Sequence, residues 1–221
     1  MKQGQFYIIG TPIGNFEDIS YRAIKVLKTL DYIICEDTRE TKYILSHFNI
    51  DAKCIAYNSK TQESIDFAEN KLKEGKSIGF VSDRGMPTIS DPGSRLISEL
   101  KNREIKYITC IPGPSSITTA FALSGYSGNF IFQGFLPRKE SQILKLAEQL
   151  NSLEDYNIIF FESPIRLQKT LKILSTVFSE RKLTLCKDLT KTFEKVCEKS
   201  WEAAIKDDYK GEHVIIIKKK D

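Results

Sequence analysis

Short β-rich runs alternate with helical periods along the whole chain, and few folds accept that rhythm. The first runs are FYIIG (6–10), YIICED (32–37), KCIAY (53–57), SIGFVSD (77–83) and KYITCIPG (106–113), each followed by an amphipathic stretch or a sharp turn. Such alternation predicts the α/β class, a sheet with helices packed on it. Between Ile19 and Leu30, the residues Ile19, Ala23, Val26, Leu27 and Leu30 fall on one helical stripe. That spacing predicts a helix covering the sheet, with Asp18 as its N-cap.

After IPGPSS (111–116) the pattern restarts with the apolar helix ITTAFALSG, followed by strands predicted at FIFQGF (130–135), YNIIFFES (156–163), KLTLCKD (182–188) and GEHVIIIK (211–218). Pro112-Gly113-Pro114 can continue neither a strand nor a helix, so it is read as a boundary between domains 1–113 and 114–221. No Ser- or Gly-rich linker follows, and the halves are expected to pack directly, with a ligand cleft between them.

Composition narrows the class further. With 41% apolar and 28% charged residues, disordered and fibrous classes are excluded. No run approaches ~18 apolar residues, and the start passes straight into a strand, so the chain is expected to be neither membrane-spanning nor exported. The five cysteines, at 35, 54, 110, 186 and 197, form no CxxC pair and read as small core residues of a reducing compartment. With only His47 and His213 to join them, no zinc site is expected. A net charge of +4 permits nucleic-acid binding without demanding it. Basic residues gather at Arg138-Lys139 and at Lys218–Lys220, the second reading as a solvated tail.

Several common nucleotide and hydrolase signatures are absent. The first strand ends in Gly10-Thr11-Pro12-Ile13-Gly14, not Gly-x-Gly-x-x-Gly, and neither a P-loop nor a Gly-x-Ser-x-Gly elbow occurs. What does occur is a set of turns at the carboxyl ends of predicted strands: TPIGN (11–15), CEDTR (35–39), SDRGMPTISDPG (82–93) and IPGPSS (111–116). In an open α/β sheet such ends line the binding crevice. In the longest turn Asp91 reads as a helix cap and Asp83 as the better ligand contact, to a metal, a ribose or an amine. Glu36, Asp37 and Arg39 form either an ion-pair network or a polar substrate wall, with Thr38 the expected cap of the next helix. In the second half, Glu162 either orients a ligand amine or caps the helix that starts at Ser163-Pro164.

TPIGN, EDTR, VSDxGxPxISDPG, PGPSS, GFLPRK, FFES, LTK and KGE, in this order, resemble the ribosomal RNA small subunit methyltransferase I family of the tetrapyrrole methylase superfamily. The resemblance covers nearly the whole chain. It implies two α/β domains with S-adenosylmethionine in the cleft between them, a cytoplasmic homodimer, and 2′-O-methylation of a cytidine ribose in the decoding region of small-subunit (16S) rRNA. By resemblance, Pro12, Asp83, Gly85, Ser116, Ile117, Phe161, Glu162, Leu189 and Gly211 line the cofactor site. Two departures stand out: Arg84 and Met86 replace the usual small residue and hydroxyl of SDAGTP, and Lys187-Asp188 replaces Arg-Glu before LTK.

In-line methyl transfer relies largely on positioning, and a group must take the hydroxyl proton. Glu36, Asp37 and Lys191 are the candidates, unranked, with no metal needed. Arg39, Arg138, Lys139 and Lys187 are the expected phosphate contacts, to an RNA whose target nucleotide is drawn out of its stack. A tetrapyrrole-precursor methylase and a catalytically silent RNA-binding homologue are the alternatives, and cofactor binding separates the second from the enzyme.

Overall fold

The computed structural model describes residues 3–220. The chain divides into two compact units, one ending at Ser115 and the other beginning at Ser116.

The first unit contains β1 (Phe6–Ile9), α1 (Tyr21–Leu27), β2 (Tyr32–Cys35), α2 (Thr38–His47), β3 (Lys53–Ala56), α3 (Glu63–Lys73), β4 (Ile78–Val81), α4 (Ser94–Asn102) and β5 (Ile108–Ile111). Its five strands are all parallel, in the order β3-β2-β4-β1-β5. Parallel strands need crossover helices, and helices on both faces explain why the central strands read as continuous apolar runs. Successive residues serve opposite layers. Ile33 and Cys35 pack with Ala23, Leu27 and Leu45, whereas Ile34 packs with Ile65, Ala68, Leu72, Leu96 and Leu100. Burying each such Ile or Leu contributes roughly 2–3 kcal/mol.

Of the expected stripe, Ile19, Ala23, Leu27 and Leu30 are buried and Val26 is half-buried, but the helix itself is shorter, Tyr21–Leu27, with Ile19 and Leu30 just outside it. Its cap differs. Ser20 accepts the Ala23 N–H at 3.1 Å, while Asp18 belongs to a preceding 3₁₀ turn capped by Asn15. Serine wins because it stands three residues before a backbone donor that would otherwise be orphaned.

The second unit contains α5 (Ser116–Ser124), β6 (Phe130–Phe135), α6 (Glu140–Asn151), β7 (Asn157–Glu162), α7 (Pro164–Phe178), β8 (Leu183–Lys187), β9 (Lys195–Lys199), α8 (Trp201–Lys206) and β10 (His213–Ile217). Its sheet is mixed, in the order β6-β7-β10-β8-β9. β6 and β7 are parallel, β10 runs antiparallel between β7 and β8, and β9 is antiparallel to β8. Helices α6, α7 and α8 cover one face through Leu150, Leu167, Leu171, Phe178 and Ala204, and α5 packs over β9 and β10. The carboxyl ends of β6, β7 and β8 therefore share one edge with the amino end of β10.

Three local expectations are corrected. β9, KVCEK, was not anticipated, because its charges mask the period of two; it is an edge strand, where charge is tolerated and protective. The Lys218–Lys220 run is no solvated tail: its amides donate to Lys182 O, Asn157 Oδ1 and Glu154 O at 2.9–3.1 Å, and Lys220 pairs with Glu154. Of the cysteines, Cys35 and Cys186 are core thiols, Cys54 and Cys197 are half-buried, and Cys110 is exposed. Burial pushes the Cys186 thiol up to about 12. No helix among the described residues is long and apolar enough to cross a membrane.

Candidate functional site

The order β3-β2-β4-β1-β5 places a switch point between β2 and β4. The connection leaving β2 runs to β3 on one side, and the connection leaving β4 runs to β5 on the other, so a crevice opens at their carboxyl ends. Glu36 and Asp37 follow β2, and Ser82 and Asp83 follow β4.

The four turns anticipated from sequence converge there. Thr11 and Gly85 form an antiparallel bridge, with the Thr11 N–H donating to Gly85 O at 2.9 Å and the Gly85 N–H donating to Thr11 O at 3.2 Å. The buried Thr11 hydroxyl donates to Ser82 O at 3.1 Å. Met86 joins the third turn: its Sδ accepts the Gly113 N–H at 3.3 Å, and a Cβ on Gly10 would lie 2.7 Å from that sulfur. Met86 thus fills the notch between the Gly10 and Gly113 backbones. The fourth turn is tied in by Asp83, whose Oδ1 accepts the Asp37 N–H at 3.0 Å. The loop beyond is strained, with Thr88 and Ser90 at φ 74° and 60°.

These contacts separate the carboxylates by role. Asp37, not Thr38, is the N-cap of α2; it accepts the Arg39 N–H at 2.8 Å and pairs with the Arg39 guanidinium at 2.6 Å. Those hydrogen bonds hold its carboxyl down to about 2. Asp91 is not the cap of α4, which starts from Gly93 without a side-chain cap. Burial raises the Asp91 carboxyl, against a hydrogen bond from Ser82 that lowers it, and the nearby Asp83 charge adds to the rise. Glu36 has no hydrogen-bond partner among the described residues. Partial burial raises its carboxyl, and repulsion from Asp83, Asp91 and Asp37 raises it further. Pro12 and Gly85 are buried in the same cluster of turns.

In the second unit, pairing of β8 with β10 gathers the LTK and KGE residues. Asp188 donates its N–H to Glu212 O at 2.9 Å, and its carboxylate accepts the Glu212 N–H at 3.2 Å. Lys191 Nζ lies 2.8 Å from Glu212 and 3.4 Å from Asp188, and Lys187 Nζ lies 3.8 Å from Asp188. Burial alone would raise the Asp188 carboxyl, but the Glu212 amide and the two lysines outweigh it and hold it low. Gly211 sits at φ 83°, and a Cβ there would come within 2.3 Å of the Asp188 carboxylate. Leu189 and Ile117 are buried, Ser116 opens α5 half-buried, and Phe161 is partly exposed. Arg138 and Lys139 are exposed.

Glu162 departs from the expected ligand contact. Its side chain has no exposed surface. Oε1 accepts the Ser163 N–H at 2.8 Å, and Oε2 accepts the Thr170 hydroxyl at 2.8 Å and faces Arg166 NH2 at 3.1 Å. The carboxylate is occupied by the start of α7, where Ser163 is the N-cap and Pro164 follows as expected. Arg166 and Thr170 were not singled out from sequence. Their spacing, four and eight residues after Glu162, is the helical signal that could have found them.

Two α/β units, one wholly parallel and one mixed, define the fold of the tetrapyrrole methylases. The solved structure of the methyltransferase CobJ superposes with a TM-score of 0.74 at 15% identity, covering 98% of this chain and 94% of that one. The family described as Tetrapyrrole (Corrin/Porphyrin) Methylases matches residues 5–204. Ribosomal RNA small subunit methyltransferase I of Thermotoga maritima is 41% identical over 85% of this chain and 84% of its own length. The protein of the same name from Halalkalibacterium halodurans is 38% identical over 97% of this chain and 76% of its own length. The chain belongs to the tetrapyrrole methylases and, within them, to the ribosomal RNA small subunit methyltransferase I family.

Proposed function

We propose that the protein is an S-adenosylmethionine-dependent rRNA methyltransferase that methylates the ribose 2′-oxygen of a cytidine in the decoding region of small-subunit rRNA, acting in the cytoplasm as a homodimer. The observation that carries this reading is the match, along nearly the whole chain, to relatives named for methyl transfer to small-subunit rRNA.

The residues at the first unit's switch point fit the cofactor by the chemistry of their donors and acceptors. S-adenosylmethionine carries hydroxyl and ammonium donors and a sulfonium charge, which suit carboxylates. One Asp83 oxygen is used by the Asp37 amide, and the other has no partner among the described residues. Asp83 would hold such a donor, and the backbone of Pro12 and Gly85 would wall the same site. Ser116, Ile117, Phe161, Leu189 and Gly211 are the remaining lining residues by family resemblance; Glu162 contributes through its backbone alone. When bound, the cofactor supplies a methyl group on a sulfonium.

Of the candidate bases, Glu36 fits best. A general base needs a carboxylate that is both unpartnered and ready to take a proton, and partial burial, with the acidic neighbours of Glu36, raises its proton affinity. Asp37 is committed to its helix and to Arg39, and its carboxyl is held down to about 2. Lys191 is engaged by ion pairs to Asp188 and Glu212, so its side chain is committed there and not free to face a hydroxyl. Arg39, Arg138, Lys139 and Lys187 are the proposed phosphate contacts, and Arg39 remains 88% exposed despite its pairing with Asp37.

The test is calorimetric titration of the purified protein with S-adenosylmethionine, repeated with Asp83→Ala, then mass spectrometry of rRNA from treated small ribosomal subunits. Saturable binding weakened by Asp83→Ala, with a methyl group on a ribose, supports the reading. Absence of cofactor binding by the unmodified protein transfers the assignment to a silent RNA-binding homologue.

A further inference from the structure

Glu162, fully buried, and Arg166, half-buried, form a relay that ends on an exposed loop. Glu162 is fixed from three sides, and the Arg166 NH2 it faces also donates to the Leu136 carbonyl at 3.0 Å and to the Pro137 carbonyl at 2.5 Å. Both carbonyls belong to the segment that leaves β6. Loop carbonyls are normally left to water. Here a guanidinium holds two successive ones, and a fully buried carboxylate holds the guanidinium.

The segment so held has a distinct surface. The register of β6 slips between Phe132 and Gly134, with Gly134 at φ 77°, a conformation that glycine adopts without strain. Beyond the bulge Phe135 pairs with Phe161, and their rings meet edge to face at 5.5 Å. Phe135 is 58% exposed, an unusual position for a phenylalanine, whereas Leu136 next to it is anchored in the core. Arg138 and Lys139 follow, both exposed and without an ion-pair partner among the described residues. An exposed aromatic face beside two unpaired cations is the combination that single-stranded nucleic acid selects, with bases stacking on rings and phosphates meeting cations.

We propose that Arg166, set by Glu162, is a positioning residue for RNA: it holds segment 135–139 so that Phe135 stacks on a base of a single strand while Arg138 and Lys139 meet its phosphates. This deepens the rRNA reading and rests on it. Neither Glu162 nor Arg166 touches the substrate; they act through the loop.

The experiment compares full-length wild type, Arg166→Ala, Arg166→Lys, the triple variant Phe135→Ala/Arg138→Ala/Lys139→Ala, and that triple variant with Arg166→Ala added. Each is assayed on unmethylated small ribosomal subunits for KM and kcat, at several salt concentrations, with S-adenosylmethionine affinity measured separately by calorimetry. The expected result for Arg166→Ala is an RNA KM about tenfold higher, with kcat and cofactor affinity within twofold of wild type. The slope of log KM against log salt falls by about 0.7 for each single-strand phosphate that the variant no longer neutralises. Arg166→Lys recovers part of the loss, because an ammonium reaches one carbonyl. Adding Arg166→Ala to the triple variant changes KM by less than twofold, since nothing remains to position.

A full tenfold penalty in that background, or a loss in kcat or cofactor affinity with KM unchanged, overturns the proposal. Where Arg166→Ala fails to fold, Arg166→Lys carries the same comparison. If wild type binds the cofactor but does not turn over RNA, the substrate reading fails and the proposal falls with it. Turnover by wild type with additive losses refutes the positioning role alone.

Discussion

Replacing Thr170 with valine exchanges a hydroxyl for a methyl group of similar size. The threonine is 2% exposed, and its hydroxyl donates to Glu162 Oε2 at 2.8 Å. Valine leaves no cavity, so the change isolates the donor from the packing. A hydrogen bond to a charged group contributes about 1.5–3 kcal/mol net. The Ser163 amide and Arg166 still serve the carboxylate in the variant, so the charge is not orphaned and a loss of about 2 kcal/mol is expected. That corresponds to a melting temperature lower by about 4–8 °C if the whole chain unfolds together, and by about twice as much if the second unit melts alone. Differential scanning calorimetry at neutral pH, with urea titration as a second measure, reads the shift. Thr170→Ser keeps the hydroxyl and should recover most of it. In a Glu162→Gln background the same Thr170→Val change should cost under about 1 kcal/mol, the range of a neutral hydrogen bond. A Thr170→Val protein within about 0.5 kcal/mol of wild type, the scatter of ordinary surface changes, would refute the idea that this hydroxyl sustains the buried carboxylate.

Glu36→Gln should lower kcat/KM on RNA by about 10²–10⁴-fold while leaving S-adenosylmethionine affinity intact, and should remove the acidic limb of the pH–rate profile; an unchanged profile reassigns the base. The same variant tests linkage. The folded protein binds the Glu36 proton more tightly than the unfolded chain, so the associated stability is complete below the unfolded value and lost as pH rises through the folded one. Glu36→Gln should therefore melt above wild type at pH 7 and level with it near pH 4; an equal difference at both would exclude a titrating Glu36. Gly211→Ala forces a methyl group onto the Asp188 carboxylate at a backbone angle that alanine resists, and should cost about 1–3 kcal/mol by urea unfolding. A neutral Gly211→Ala would mean that Asp188 is free to move. Thiol-labelling reagents should modify Cys110 in the native protein and reach Cys35 and Cys186 only on unfolding, as mass spectrometry of labelled peptides would show.

Most elements were legible in the sequence because each is simple. Strands such as YIIC and FIFQGF are dense in β-branched and aromatic residues, and the α1 stripe keeps its period. Strand ends moved inward by a residue or two, and caps shifted to Ser20 and Asp37, because capping depends on which side chain reaches a particular amide. β9 was hidden by charge. The convergence of four turns was legible, since glycine, proline and aspartate cluster only where the chain must turn close to something polar. What each carboxylate does there was not. Asp37 and Glu36 are neighbours of the same type, and only the Arg39 contacts show that one is committed and the other is not. Glu162 was equally opaque, because its burial depends on Thr170 and Arg166 along a helix that had yet to be placed.

The position of β10 in its sheet bears on how the protein emerges from its own synthesis. Every strand of the first sheet has been made once Ile111 is added, so that unit can close while the rest of the chain is still unmade. The second sheet must wait. β7 and β8 never pair with each other, and the strand between them, His213–Ile217, is made after β6, β7, β8 and β9. At roughly 5–20 residues per second, several seconds separate the start of α5 from the arrival of β10. From the time each is made until then, β7 and β8 present an open, apolar edge to the cell, the state most exposed to misassociation. Nascent chains halted before Gly211 should yield a protease-resistant first unit and a digested second one, and chaperone demand should concentrate on the carboxyl-terminal half.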